Sequence, residues 1–186
     1  GKWEAVVYES GNIGNGSQAN NPLLQELPDP LTKVVWDHYV TVAPKHAKEI
    51  NLSERFTKYA SIKVNGKTIK LPVMIQPGQA AGTIGIPLGY GRKKAGKVAD
   101  NIGENAYPLV RLVNGSLSYS SSNVEFAITE DSYQLAQTQT HNTYMGRNTV
   151  IQETDLASYK TSAKYPFDPK IATWKDPEGK TDPELV

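Results

Sequence analysis

The segment Gly89-Tyr90-Gly91-Arg92-Lys93-Lys94-Ala95-Gly96-Lys97 holds the strongest local chemistry in the chain. Its glycines free backbone amides to face an anion, and Arg92 offers a planar two-pronged donor. Downstream, Gly103-Glu104-Asn105 adds a carboxamide that can read a base edge or cap a turn. Gly91 and Gly96-Lys97 also match a phosphate-loop spacing, two glycines with four residues between them and then lysine. Val98, however, stands where a magnesium-holding hydroxyl is required, and Val98-Ala99-Asp100-Asn101-Ile102-Gly103 is a weak helix start. Nucleoside-triphosphate binding is therefore not supported. A flexible, solvated basic loop accounts for the same composition as an anion site does.

The remaining ionisable residues point to structure more than to catalysis. His38, His46 and His141 are too widely separated for a zinc helix or hairpin. His141 lies with Arg147 in a polar stretch, Gln137 to Arg147, with no partner acid or nucleophile that spacing can name. Glu125, Glu130, Asp131, Glu153 and Asp155 flank expected strand and helix ends, as surface and capping carboxylates do. Trp3, Trp36 and Tyr39 read as core or core-edge aromatics.

Composition closes several classes. In 186 residues there is no cysteine, so the chain has no disulfide framework, zinc-thiolate site, cysteine nucleophile or cluster ligation of its own. Twenty basic against nineteen acidic side chains leave a net charge of +1, with no global field to concentrate nucleic acid. No apolar run approaches the ~20 residues of a membrane span, and the start lacks signal-peptide regions. A beginning at Gly1-Lys2-Trp3 is that expected of a processed protein or of a piece of a longer one.

Short β-branched and aromatic runs punctuated by Gly, Pro and Asn predict a mainly β architecture with a few short helices. Trp3–Tyr8 reads as a strand, and Ser10–Asn21 as a polar loop that buries no apolar area. Leu23–Pro30 carries two prolines, and the residues before Pro28 and Pro30 are pushed toward extended backbone. Val34–Val42 is expected as a strand and Pro44–Ile50 as a helix. Asn65-Gly66 between two alternating runs predicts a type I′ hairpin. Pro77-Gly78 is a turn, Gly82–Leu88 a buried strand whose glycines permit close backbone approach, and Gly89–Asn105 a long functional or mobile loop. Strands are expected over Tyr107–Val113, Val124–Thr129 and Gln134–Thr138, with a turn at Asn114-Gly115. A helix is expected at Thr154–Tyr159, and a Pro- and charge-rich tail from Thr161.

Several motifs taken jointly resemble one family. They are Asn21-Pro22-Leu23-Leu24-Gln25-Glu26-Leu27-Pro28-Asp29-Pro30, Trp36-Asp37-His38-Tyr39-Val40, Leu71-Pro72-Val73 with Gln76-Pro77-Gly78-Gln79-Ala80, Leu88-Gly89-Tyr90-Gly91-Arg92, Gly103-Glu104-Asn105-Ala106-Tyr107-Pro108-Leu109, and Gln137–His141 with Gly146-Arg147. From about Asn21 to Tyr159 the chain resembles the molybdopterin-oxidoreductase-like large iron–sulfur subunit of alternative complex III, in its C-terminal molybdopterin-dinucleotide-binding domain.

That resemblance implies a double-psi β-barrel of the aspartate-decarboxylase-like type over residues 21–160. An N-terminal strand and loop (1–20) precede it, and a linker or tail (161–186) follows. It implies that Gly89, Tyr90, Gly91, Arg92, Asn105, His141 and Arg147 would face a pterin pocket if that pocket is retained. This branch resembles a subunit that kept the fold and lost the molybdenum cofactor, so no cofactor, metal or catalytic residue is expected in this fragment. The cysteine-rich cluster module of the family would lie beyond Val186. The expected role is a structural barrel in a bacterial, membrane-associated electron-transfer complex, on the periplasmic side. Its partners would be other domains and subunits of that complex, without nucleic acid or direct membrane insertion. The alternative is the cofactor-closing domain of an active molybdenum or tungsten oxidoreductase that binds a molybdopterin guanine dinucleotide.

Overall fold

A computed structural model describes residues 2–47, 49, 57–141 and 156–161. The chain divides into two compact units, Gly1–Thr138 and Gln139–Val186.

The first unit is built on a mixed seven-stranded sheet. Its strands are β1 (Glu4–Glu9), β2 (Val40–Val42), β3 (Thr57–Val64), β4 (Lys67–Ile75), β5 (Thr83–Leu88), β8 (Ser120–Ser121) and β9 (Val124–Tyr133), in the spatial order β8-β1-β5-β2-β4-β3-β9. β1 runs parallel to β5 and β2 parallel to β4, whereas the other pairs are antiparallel. A separate two-stranded hairpin pairs β6 (Arg111–Val113) with β7 (Ser116–Ser118). The expected mainly β architecture with short helices is therefore present. The hydrogen-bonded sheet is open, with β8 and β9 as its edges.

Local chemistry explains most of the elements. Asn65 and Gly66 adopt φ of 50° and 79°, the doubly positive backbone of a I′ turn, and this sets the register Val64↔Lys67. Asn114-Gly115 repeats the device between β6 and β7, at φ 50° and 80°. α1 (Pro22–Glu26), a helix not expected from the sequence, ends at Leu27, whose backbone is extended as expected of the residue before Pro28. Asn21 caps it by accepting the Leu23 N–H at 3.0 Å, and Pro22 supplies the first-turn φ. The prolines at 28 and 30 act only after the helix has ended, where Leu27 is extended.

The strand expected over Val34–Val42 shortens to β2. Lys33 and Trp36 adopt positive φ of 61° and 62°, and Asp29 Oδ1 takes the Leu31 and Thr32 amides, so the chain turns repeatedly before Val40. α2 (Pro44–Ala47) confirms the start of the helix expected after Pro44; Lys48 and Ile50 lie outside the described residues. Tyr107–Leu109 forms a 3-10 turn, since Pro108 cannot donate to a ladder, and only Arg111–Val113 is strand. Beyond β9, Gln137 makes a single bridge to Val34 where a strand was expected. In the second unit α3 spans Leu156–Thr161, so Thr161, where the tail was expected to begin, is helical; the expected caps Thr154 and Asp155, and residues 162–186, lie outside the described residues.

The main core gathers one side chain row from each long strand: Ala5 and Val7, Val40 and Val42, Ile62 and Val64, Ile69, Leu71 and Val73, and Ile84, Ile86 and Leu88. Ala106 and Leu109 seal one end, and Trp3 closes another against Phe126 and His46. Tyr39 is buried too, and Trp36 half-buried.

Ile86 is fully buried and Leu112 is 71% exposed. Ile86→Ala should therefore lower unfolding free energy by about 3 kcal/mol. Leu112→Ala should change it by under about 0.5 kcal/mol. Urea titration of the two variants checks both.

Candidate functional site

The loop from Gly89 to Asn105 forms a cleft of about 780 Å³, lined among others by Tyr90, Gly91, Arg92, Lys93, Glu104, Asn105 and Tyr107. Although without helix or long strand, the loop is fixed from within. Gly91 N–H donates to Ile102 C=O at 2.7 Å, and Asn101 N–H to Arg92 C=O at 3.1 Å. Asp100 Oδ1 accepts the Ala95 amide at 2.7 Å, and Asn20 Oδ1 accepts that of Val98 at 3.1 Å. Lys97–Ala99 is turn and Asp100 bridges to Arg92, not the helix start a phosphate loop needs.

Beneath the loop lies a second small core of Ile13, Ala19, Tyr90 and Ala99, with Leu24 and Ile102 packed against it. Ser10–Asn21 is thus a loop, but the expectation that it buries no apolar area is corrected. Ile13 and Ala19 point into this second core because α1 and the basic loop fold over them.

His38 joins the cleft to the sheet. It is buried, its ring stacks on Tyr90 at 4.5 Å between centroids, and both of its nitrogens are used. Nδ1 accepts the Glu104 N–H at 3.1 Å, so Nε2 carries the proton and donates to Pro87 C=O at 2.8 Å. One imidazole therefore ties the end of β5 to the far wall of the cleft. Burial lowers its pKa to about 4, outweighing the Pro87 carbonyl that favours the charged form.

Glycine is required where walls meet. A β-carbon at Gly91 would overlap the backbone of Glu104 and Asn105, and one at Gly103 would overlap the His38 side chain; both residues have positive φ. Gly89 lies back to back with Gly16, behind the cleft wall.

The polar groups on the cleft are largely engaged by the chain itself. Asn15 C=O accepts from Arg92 Nη2 at 3.2 Å and from Tyr107 O–H at 2.7 Å. Asn105 Oδ1 accepts the Tyr107 N–H at 3.1 Å, an Asx-type contact just before the 3-10 turn. Arg92 Nε is buried without a hydrogen-bond partner among the described residues. Lys93, Lys94 and Lys97 are exposed. No group of three or more metal-ligating side chains occurs among the described residues.

Of the residues singled out by sequence, Tyr90, Gly91, Arg92 and Asn105 share this cleft, and Gly89 supports it from behind. His141 is an exposed residue of the second unit, and Arg147 lies outside the described residues. Sequence reasoning missed His38 as the positioning residue, and also missed Asn15, Asn20 and Tyr107. Their partners are 49 to 92 residues away, so only the Trp36–Val40 motif hinted at His38.

Comparison with known proteins adds little. No protein-family model matches the sequence, and no curated protein matches it. Among solved structures the chain is similar to acetylene hydratase from Pelobacter acetylenicus, with 16% identity and a TM-score of 0.43. The similar region covers 61% of this chain and 15% of that one.

The pH dependence of folding follows from His38. Its pKa is about 4 when folded and 6.5 when unfolded, so the unfolded chain takes up a proton first as pH falls. The stability is intact above pH 6.5, declines between 6.5 and 4, and has lost about 3 kcal/mol below that window. His38→Gln should flatten the decline in this interval, measured by denaturant titration at successive pH values.

Proposed function

We propose that this chain is a cofactor-free structural domain of a molybdopterin-oxidoreductase-like subunit, serving as scaffold in a membrane-associated electron-transfer complex. The observation that carries the reading is the self-engagement of the cleft. Arg92 and Tyr107 both donate to the Asn15 carbonyl, Asn105 Oδ1 accepts the Tyr107 amide, and His38 spends both nitrogens on the fold. Groups already paired inside the protein must break those bonds to read a ligand, at a cost of about 1 kcal/mol or more each. The joint motif series from Asn21 to Tyr159 supports the family assignment.

The double-psi barrel belongs to the same proposal. β8 and β9, at opposite ends of the strand order, are separated by only Ser122 and Asn123. Asn65, at the tip of the β3–β4 turn, donates to Ser121 of β8 at 3.4 Å. Both contacts favour a sheet curled so that its edges meet at one corner. Placement in a bacterial periplasmic complex rests on the resemblance; no helix among the described residues is long and apolar enough to cross a membrane.

One observation favours the second reading, a domain that closes over a guanine dinucleotide pterin in an active enzyme. Arg92 Nε is buried and unpaired beside Lys93, a placement that suits a phosphate oxygen. Calorimetric titration with a guanine dinucleotide and with its adenine counterpart separates the two. The scaffold reading expects no saturable heat with either. Saturable, guanine-selective binding that Arg92→Ala weakens tenfold or more would establish the cofactor-closing role instead.

A further inference from the structure

In an asparagine followed by glycine, the next residue's amide nitrogen reaches the side-chain amide most freely, since glycine puts no β-carbon in its path. The chain has three such pairs, Asn15-Gly16, Asn65-Gly66 and Asn114-Gly115, and the last two share the tripeptide Val-Asn-Gly. Local chemistry makes those two equal; the fold does not.

Both occupy I′ turns, with Asn at φ 50° and Gly at φ 79° or 80°. Ring closure onto the side chain requires the backbone after Asn to rotate out of that turn, so it proceeds from the opened hairpin and scales with the fraction open. Opening at Asn65 is costly. Its turn joins β3 to β4, paired from Val64↔Lys67 to Tyr59↔Pro72, and β3 is clamped on its other side by β9. Val64, just ahead of Asn65, is buried, and the Asn65 carboxamide donates to Ser121 Oγ at 3.4 Å. Asn15 is restrained differently. The Gly16 N–H, its nucleophile, donates to Ile13 C=O at 2.9 Å, and Gly16 packs on the Gly89 backbone. Asn15 Oδ1 accepts the Ser17 N–H at 2.9 Å, and Asn15 C=O holds Arg92 and Tyr107, so rotation there dismantles a wall of the cleft.

The β6–β7 hairpin has no such restraint among the described residues. Three pairs, Arg111↔Ser118, Leu112↔Leu117 and Val113↔Ser116, form a separate two-stranded ribbon, exposed at every residue from Arg111 to Leu117. A ribbon of that kind is marginally stable at best in water. Val113, the counterpart of buried Val64, is 43% exposed.

We infer that Asn114 is a site of spontaneous deamidation, and that of the three pairs it is the one at which this chain ages. The Gly115 nitrogen loses its proton to hydroxide and bonds to Asn114 Cγ; the bond from Cγ to the amide nitrogen breaks, and ammonia leaves a succinimide ring. One water then opens the ring, at Cγ to give aspartate or at the α-carbonyl to give isoaspartate. The net reaction takes up water and releases ammonia, with no enzyme or cofactor, so it is independent of the scaffold and cofactor readings. Aspartate still suits a I′ turn but adds a negative charge to a hairpin whose one charged residue is Arg111. Isoaspartate adds a methylene to the main chain, and the two-residue loop then no longer fits the Val113↔Ser116 register. Either product changes this surface irreversibly.

The test incubates the full 186-residue chain at mildly alkaline pH and maps its peptides over time by mass spectrometry, with fragmentation that separates aspartate from isoaspartate. Asn114 should convert about tenfold or more faster than Asn65 and Asn15. In strong denaturant the two Val-Asn-Gly sites should convert at the same rate. Amide hydrogen exchange should be faster across β6–β7 than across β3–β4. Earlier conversion at Asn65 or Asn15, equal rates in the folded chain, or an intact Asn114 under conditions that convert the denatured chain would each overturn the inference. A preference for Asn114 that persists undiminished in denaturant would trace it to local sequence and overturn it as well.

Discussion

The cleft depends on one buried, neutral imidazole. His38 reaches from the approach to β2 to the last residues of β5 and to the amide of Glu104, and lays its ring flat on Tyr90. Charging it would eject the Glu104 N–H from Nδ1 and place an unpaired cation in the interior, which low local polarity makes costly. Gly103 must be glycine because this ring occupies the space of a side chain there. The far wall of the cleft at Glu104 is thus tied to the sheet through this side chain, while bonds within the loop and to Asn15 and Asn20 hold the rest of it.

Around that tie the molecule uses two cores. The larger fills the sheet with aliphatic residues, and the smaller, four buried side chains under the basic loop, turns a glycine-rich connection into a wall of fixed shape. Backbone carbonyls do much of the fine positioning. Asn15 C=O holds two cleft side chains at once, and its neighbour Gly16 lets the loop at Gly89 come into backbone contact. Such carbonyl contacts are insensitive to side-chain identity, which leaves few sequence marks of the site they build.

Where backbone chemistry is local, the residues themselves were readable. Asn65-Gly66 and Asn114-Gly115 announced their turns, the alternating flanks announced β3 and β4, and the glycine-basic segment announced a long loop. The helix at Pro22 was hidden because Pro28 and Pro30 dominate that stretch, although Asn21-Pro22 carries a cap and a first-turn proline. Val34–Tyr39 looked like strand from its β-branched and aromatic density, yet the Asp29 turn and two positive-φ residues bend it. Ser10–Asn21 looked too polar to bury anything, and its Ile13 found a core only because distant segments cover it.

The sequence by itself determined the mainly β composition, the hairpin turns, the lack of thiol chemistry and the location of the basic loop. All of these follow from residue type and nearest-neighbour backbone preference. Only the tertiary structure decided that this loop is a walled cleft, that His38 is its anchor, and that Leu112 and Leu117 point into solvent. Each of these depends on contacts between residues far apart in the chain, or on the absence of such contacts at the hairpin among the described residues. Burial and pairing of that kind are properties of the folded chain, to which local propensity is blind.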